Sequence, residues 1–280
     1  MERIQEKSLE MAKYFVEFCK AHQLLCYLCG GGAIGALRHQ GFIPWDDDLD
    51  FFMPRKDYER LILLWPKKAD PRYRLSNSNR HYVDRNLFVT IRDEQTTCIK
   101  GYQQDQMEVP HGLALDVIPI DYCPKSAKAH KRQKLLAYIY SLFRAQTAPK
   151  KHGGLMALGS RLLLTICFSK QLRYAIWKRA EKRMTRYRKE EAGSIIELCS
   201  GPHYMQNNYP LEAFESALWL DFEDTKMPIP VGYDIYLRTA FGDYMQLPPE
   251  EKRVPPHDNV FLDLDTPYIN YKGIEYGREV

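Results

Sequence analysis

Gly30-Gly31-Gly32-Ala33-Ile34-Gly35-Ala36-Leu37-Arg38-His39-Gln40-Gly41-Phe42-Ile43-Pro44-Trp45-Asp46-Asp47-Asp48-Leu49-Asp50 is the stretch that decides the fold of this 280-residue chain. An apolar run of strand length, Leu24 to Leu28, leads into three glycines, and Ala33 to His39 can open a helix. Glycines let backbone N–H groups approach a phosphate, and a helix N-terminus adds a favourable dipole. The spacing matches neither a P-loop nor a dinucleotide-binding fingerprint. Residues 46–50 then place four carboxylates in five positions. Such crowding is unfavourable unless a cation neutralises it. Carboxylate oxygens are hard ligands suited to Mg²⁺ or Mn²⁺. On a strand, Asp48 and Asp50 would share a face, and Asp46 would join them if the strand began early.

A third acid lies further along. Leu113-Ala114-Leu115-Asp116-Val117-Ile118-Pro119 sets one carboxyl in an apolar run, where burial is costly unless it is paired or on a metal. Taken singly, each feature has an ordinary reading: a tight turn, a solvated acidic loop, a strand-end cap. A D-x-D also occurs in sugar-nucleotide glycosyltransferases, while the spacing of a calcium loop is not met. Glycine turn, D-x-D and a later acid on an apolar strand together form the pattern of the nucleotidyltransferase superfamily, which includes DNA polymerase beta. Its logic is two-metal phosphoryl chemistry, with ions about 3.5–4 Å apart clamping the attacking and leaving oxygens.

The sequence resembles the LicD family of phosphotransferases, which includes domains related to fukutin. The resemblance runs through 30–50 and Met53-Pro54-Arg55-Lys56-Asp57-Tyr58, and resumes at Leu115-Asp116-Val117-Ile118-Pro119-Ile120-Asp121. It returns in Phe222-Glu223-Asp224, Pro228-Ile229-Pro230-Val231-Gly232-Tyr233 and Pro248-Pro249. It implies an α+β, nucleotidyltransferase-like fold: a mixed sheet flanked by helices, in one domain over 1–280. The core would span about 22–121 and 194–257, with a basic helical insertion at about 125–192. It also implies metal-dependent transfer of a phospho-alcohol, foremost phosphocholine from CDP-choline, to a sugar hydroxyl of a cell-surface glycan precursor. The acceptor would be of lipopolysaccharide or teichoic acid type, and CMP would be released. Nucleotidyl transfer from an NTP to a small molecule would use the same acids. A non-catalytic membrane or glycan adaptor would use the basic segment alone. Ala33 departs from the family pattern, which often has threonine or serine there.

On this reading Asp48, Asp50 and Asp116 are the catalytic metal ligands for Mg²⁺ or Mn²⁺, and one of them, or Asp46, accepts the proton of the attacking hydroxyl. Gly31 and Gly32 offer backbone N–H groups to the diphosphate. Arg38, whose planar fork suits phosphate oxygens, and His39 beside it are the side-chain candidates. Trp45 offers an aromatic face to a quaternary ammonium or a base. Arg253 and His257 sit in a proline-rich loop within reach of such a site.

The net charge of +4 conceals segregation. From Tyr122 to Ala180 there are 13 Lys/Arg and no Asp or Glu, which leaves −9 on the rest. Leu135, Ile139, Leu142 and Phe143 form one helical stripe, and Leu172, Ile176, Ala180 and Tyr187 another, separated by a break at Ala148–Gly154. Soluble helices usually mix signs, so an anionic partner is expected. No nucleic-acid-binding motif accompanies the charge, and nucleic acid is not expected. An anionic membrane surface or a lipid-linked glycan fits better, with Leu155 to Phe168 dipping into the interface. No run reaches the roughly 18 apolar residues of a membrane span. The charged N-terminus lacks an apolar signal core, and seven irregularly spaced cysteines suit reduced thiols. These features predict a cytoplasmic protein, peripheral at the inner face of the membrane. Elsewhere, the patterns predict helices over 2–22, 57–64 and 232–244, and strands over 86–91 and 113–120.

Overall fold

Ile4, Ser8, Met11, Phe15 and Phe18 recur at helical spacing and are all buried, so Glu2–Ala21 forms helix α1 with that stripe inward. The Phe15 ring lies 4.8 Å from that of Phe51 in the sheet. The computed structural model describes residues 1–147, 154–255 and 259–277. Residues 148–153 of the predicted break, and His257, lie outside them.

Strand β1 (Tyr27–Cys29) is buried throughout and shorter than the apolar run that announces it. Helix α2 (Gly30–Arg38) starts at the first glycine, so the glycines form its first turn rather than a loop ahead of it. Gly30 has φ +54°, a left-handed conformation that disfavours a Cβ. Strand β2 (Asp50–Pro54) leads into α3 (Arg55–Lys68), which buries Tyr58, Leu61 and Trp65. The Trp65 indole N–H donates to the Tyr73 carbonyl (2.7 Å), fixing α3 beside β3 (Tyr73–Ser76). Strands β4 (Val89–Asp93), β5 (Thr97–Lys100) and β6 (Ala114–Pro124) follow.

The basic segment is helical, as its stripes predict: α4 (Ala127–Ala145), α5 (Gly154–Ile166) and α6 (Lys170–Met184). Ser126 and Ser169 cap α4 and α6 by accepting from the N–H groups of Ala129 and Leu172. The stripes themselves need correction. Phe143 and Ala180 are buried, but Leu135 and Leu172 are exposed, and Tyr187 lies beyond the end of α6. The insertion instead builds its own small core from Tyr140, Phe143, Leu164, Trp177 and Met184, closed by Ile196 and Leu198. One of its cations is structural. Arg144 is buried and donates to the carbonyls of Asn86 (2.7 Å) and Phe88 (3.2 Å) and to Asn77 Oδ1 (3.1 Å).

The chain continues through β7 (Ala192–Ile196), β8 (Asn208–Tyr209), the hairpin β9 (Ala217–Phe222) and β10 (Thr225–Pro230), helix α7 (Tyr233–Phe241) and β11 (Asn259–Asp263). The main sheet runs β1-β2-β6-β4-β3, with β7 on β6 and β8 on β7. It is mixed: β2 and β6 are parallel, and the other pairs are antiparallel. The fold is thus α+β, with a mixed sheet and seven α-helices among the described residues. Arg55, opening α3, sends its fork to Asp121 on β6 (2.8 and 2.7 Å), with Glu181 of α6 3.7 Å away. This buried group ties α3, the sheet and the insertion together. All seven cysteines are free, and all but Cys167 are buried. Among the described residues, no helix is long and apolar enough to cross a membrane.

Candidate active site

Parallel pairing of β2 with β6 sets Asp50 directly beside Asp116, and β4 brings Thr90 to the other side of Asp116. Register partners on neighbouring strands share a face, so two carboxyls far apart in sequence meet on one edge. Asp48 is not on the strand, which begins at Asp50. Burial alternates with period two in the segment before it. Asp46, Asp48 and Asp50 are half-buried, whereas Asp47 and Leu49 between them are buried. Helix α1 holds this segment from behind. The Gln5 side-chain amide donates to the carbonyls of Asp46 (2.8 Å) and Ile43 (3.3 Å), and the Ser8 hydroxyl to that of Asp47 (3.4 Å). Asp47 also accepts from the Asn259 amide (3.3 Å). One oxygen from each of Asp46, Asp47 and Asp48 lies within 4.8 Å of the others.

Asp50 Oδ1 and Asp116 Oδ1 are buried with no hydrogen-bond partner among the described residues. A buried polar atom left unpaired costs about 1–3 kcal/mol, and more when charged. Burial, followed by the charges of Asp48 and Asp116, pushes the Asp50 carboxyl well above the usual carboxylate range. Hard, crowded, partly dry oxygens short of partners fit a divalent cation.

Lys100 belongs to the same group, and the sequence reading missed it. It ends β5 and lines a crevice with Asp47, Asp48, Ala114 and Asn259. Burial opposes its charge, but Asp116, then Tyr102 and Asp48, outweigh that and hold its pKa above the ordinary value. A single lysine in a four-residue strand has no local signature, and only the pairing of β5 with β11 reveals the strand.

The glycines divide their work. A Cβ on Gly31 would meet Asp46 Oδ2 at 2.0 Å, so the aspartate segment rests on the start of α2. Gly32 is buried, and a Cβ there would overlap Leu28 at 2.7 Å. Its small size therefore serves packing. The Gly30 N–H donates to the Tyr236 hydroxyl (3.0 Å). Phe222-Glu223-Asp224 braces the far end of the motif, because the Glu223 carboxylate accepts from the Phe42 N–H (2.9 Å).

Arg38 donates to the carbonyls of Tyr244 (2.8 Å) and Gln246 (3.2 Å), which occupies part of its fork. It still lines a cavity of about 780 Å³ with Ile43, Trp45, Tyr244, Pro248 and Arg253. Burial, then the charge of Arg253, lowers its pKa. His39, against Arg38 Nε (3.4 Å), is lowered by burial and then by Arg38. The Arg253 guanidinium stands 5.7 Å from the centre of the Trp45 ring. The aromatic face expected to meet a ligand cation thus meets an arginine of its own chain. Two guanidiniums in a cavity beside the aspartate segment create an anion-favouring zone next to a cation-favouring one.

Glu197, just after β7, is a further acid that sequence reading passed over. It is buried, accepts from the Tyr209 hydroxyl, and burial pushes its pKa from the ordinary 4.5 up to about 7. Between those values the unfolded chain has released a proton that the fold keeps. Stability should therefore fall as pH rises through this window, by about 3 kcal/mol from this group. Glu197→Gln removes the penalty. Its melting temperature relative to wild type is expected to be higher at pH 8 than at pH 5, and a difference independent of pH would refute the raised pKa.

Residues 23–121 match the family model described as LicD/FKTN/FKRP, nucleotidyltransferase domain. That span contains α2, the aspartate segment, β2 and Asp116, and so every acid of the metal-binding candidate. The chain is also similar to "Lipopolysaccharide cholinephosphotransferase LicD" of Haemophilus influenzae, with 27% identity over 260 residues, covering 89% of this chain and 92% of the relative. Both comparisons make the chain similar to LicD proteins, the family model over residues 23–121 and the Haemophilus relative over most of its length.

Proposed function

We propose that the protein is a metal-dependent phosphotransferase, nucleotidyltransferase-like in fold, that moves phosphocholine from CDP-choline to a sugar hydroxyl of lipopolysaccharide. The observation that carries this reading is the pair Asp50 and Asp116, side by side with orphaned buried oxygens next to Asp46–Asp48. The name of the Haemophilus relative supports the choice of phosphocholine and of the acceptor. Asp48, Asp50 and Asp116 would hold Mg²⁺ or Mn²⁺, which when bound neutralises charge on the diphosphate and polarises the phosphorus under attack. Lys100, Arg38 and Arg253 receive phosphate oxygens. The acceptor oxygen bonds to the phosphorus that carries choline, the bond from that phosphorus to the bridging oxygen breaks, and CMP leaves. Asp46, seated on Gly31, takes the hydroxyl proton.

The test is product analysis with CDP-choline, Mg²⁺ or Mn²⁺ and a lipopolysaccharide acceptor. CMP release with choline phosphate on the glycan is expected. Pyrophosphate release from an NTP, with no CMP from CDP-choline, would instead establish nucleotidyl transfer, the reaction named in the family description.

A further inference from the structure

Helix α5 leaves most of its described apolar side chains in water. Leu158, Leu162 and Ile166 are 64%, 59% and 62% exposed, and Phe168, just beyond the helix, is 81% exposed. Positions 158, 162 and 166 are four apart and form one stripe. Among the described side chains of the helix, only Leu164 is buried. The C-terminal end is held by Arg173, which donates to the carbonyls of Leu164 and Cys167 (2.7 Å each) and to Gln146 Oε1 (2.9 Å). The fold thus anchors the end of the helix firmly and turns its apolar surface outward. Contiguous apolar surface of this kind marks an interaction site.

The charge around it selects the partner. Residues 122–180 carry 13 Lys/Arg and no acid, and Arg161 and Lys170 beside the stripe are exposed. A second copy of the same face would bring cations against cations. An anionic leaflet matches both features, because its acyl boundary receives the leucines and its headgroups the cations. At 13 residues α5 is about 20 Å long, shorter than the roughly 30 Å hydrocarbon core, so it lies in the interface rather than across it.

We infer that α5 and the Phe168 corner dock the protein onto an anionic lipid surface. The inference does not depend on the proposed reaction.

Flotation of the full-length protein with vesicles tests it. Binding to phosphatidylglycerol–phosphatidylethanolamine vesicles is expected, with little binding to phosphatidylcholine and weaker binding at high salt. Combined Leu162→Ser, Ile166→Ser and Phe168→Ser should weaken binding at least about tenfold. Because these side chains are exposed, the melting temperature should not change. Arg161→Gln with Lys170→Gln should weaken binding and reduce its salt dependence. Undiminished binding by the folded triple variant would overturn the inference. So would equal binding to neutral vesicles, or self-association in solution that the triple variant abolishes.

Discussion

Asp116→Asn is expected to lower turnover at least about a thousand-fold while the metal-free protein still folds. A factor of that size corresponds to about 4 kcal/mol of transition-state stabilisation, within what metal-held phosphate charge supplies. The substitution preserves shape and removes one charge. Asp116 Oδ1 has no hydrogen-bond partner among the described residues, so folding loses no bond made by that atom. The neighbouring Asp50 carboxyl, raised by burial and then by the charges of Asp48 and Asp116, loses one source of repulsion, while Lys100 loses its foremost counter-charge. The wild type should be stabilised by Mn²⁺ in a melting experiment, and the variant much less, by mass action on the native state. CMP release and melting with and without Mn²⁺ together decide the matter. Full turnover in a folded variant would remove Asp116 from the site.

Asp121→Ala should destabilise the fold by roughly 3–5 kcal/mol, the usual effect of stranding one member of a buried ion pair. Asp121 is almost completely covered and Arg55 nearly so, with side-chain exposures of 1% and 11%. After the substitution Arg55 keeps Glu181 at 3.7 Å and the Cys199 thiol at 3.7 Å as polar neighbours. The combined variant Arg55→Met with Asp121→Leu removes both charges and should recover most of the loss. Urea midpoints of the wild type and both variants measure this. Equal losses in the single and combined variants would show that packing, not the stranded charge, is responsible.

The parts legible in the sequence were those with a long period or a dense motif. Helix α1 announces itself through five apolar or small residues on one face, and all five are buried. The aspartate segment and Asp116 stand out because acids beside apolar residues need a reason. Strands β3 and β5 span four residues each, too few for alternation to register, and Lys100 was lost with β5. The inward faces of α4 and α6 were misjudged at Leu135 and Leu172 because the insertion buries polar groups instead. Gln133 and Arg144 both point inward, and their side-chain N–H groups donate to backbone carbonyls. The contact of Trp45 with Arg253 is not legible either, because that arginine comes from a loop that no local pattern connects to it.

Strand β6 also ties the candidate site to the rest of the sheet. The chain up to Pro54 contains α1, the glycine turn and Asp46–Asp50, yet half of the carboxylate pair is still missing from it. The gap is filled only when β6 slots between β2 and β4, which also recruits β7 and the helical insertion to the same strand. The candidate site therefore requires β2 and β6 to lie side by side. It comes into being with closure of the sheet, so a cation bound by Asp50 and Asp116 together would register that closure and resist its reopening.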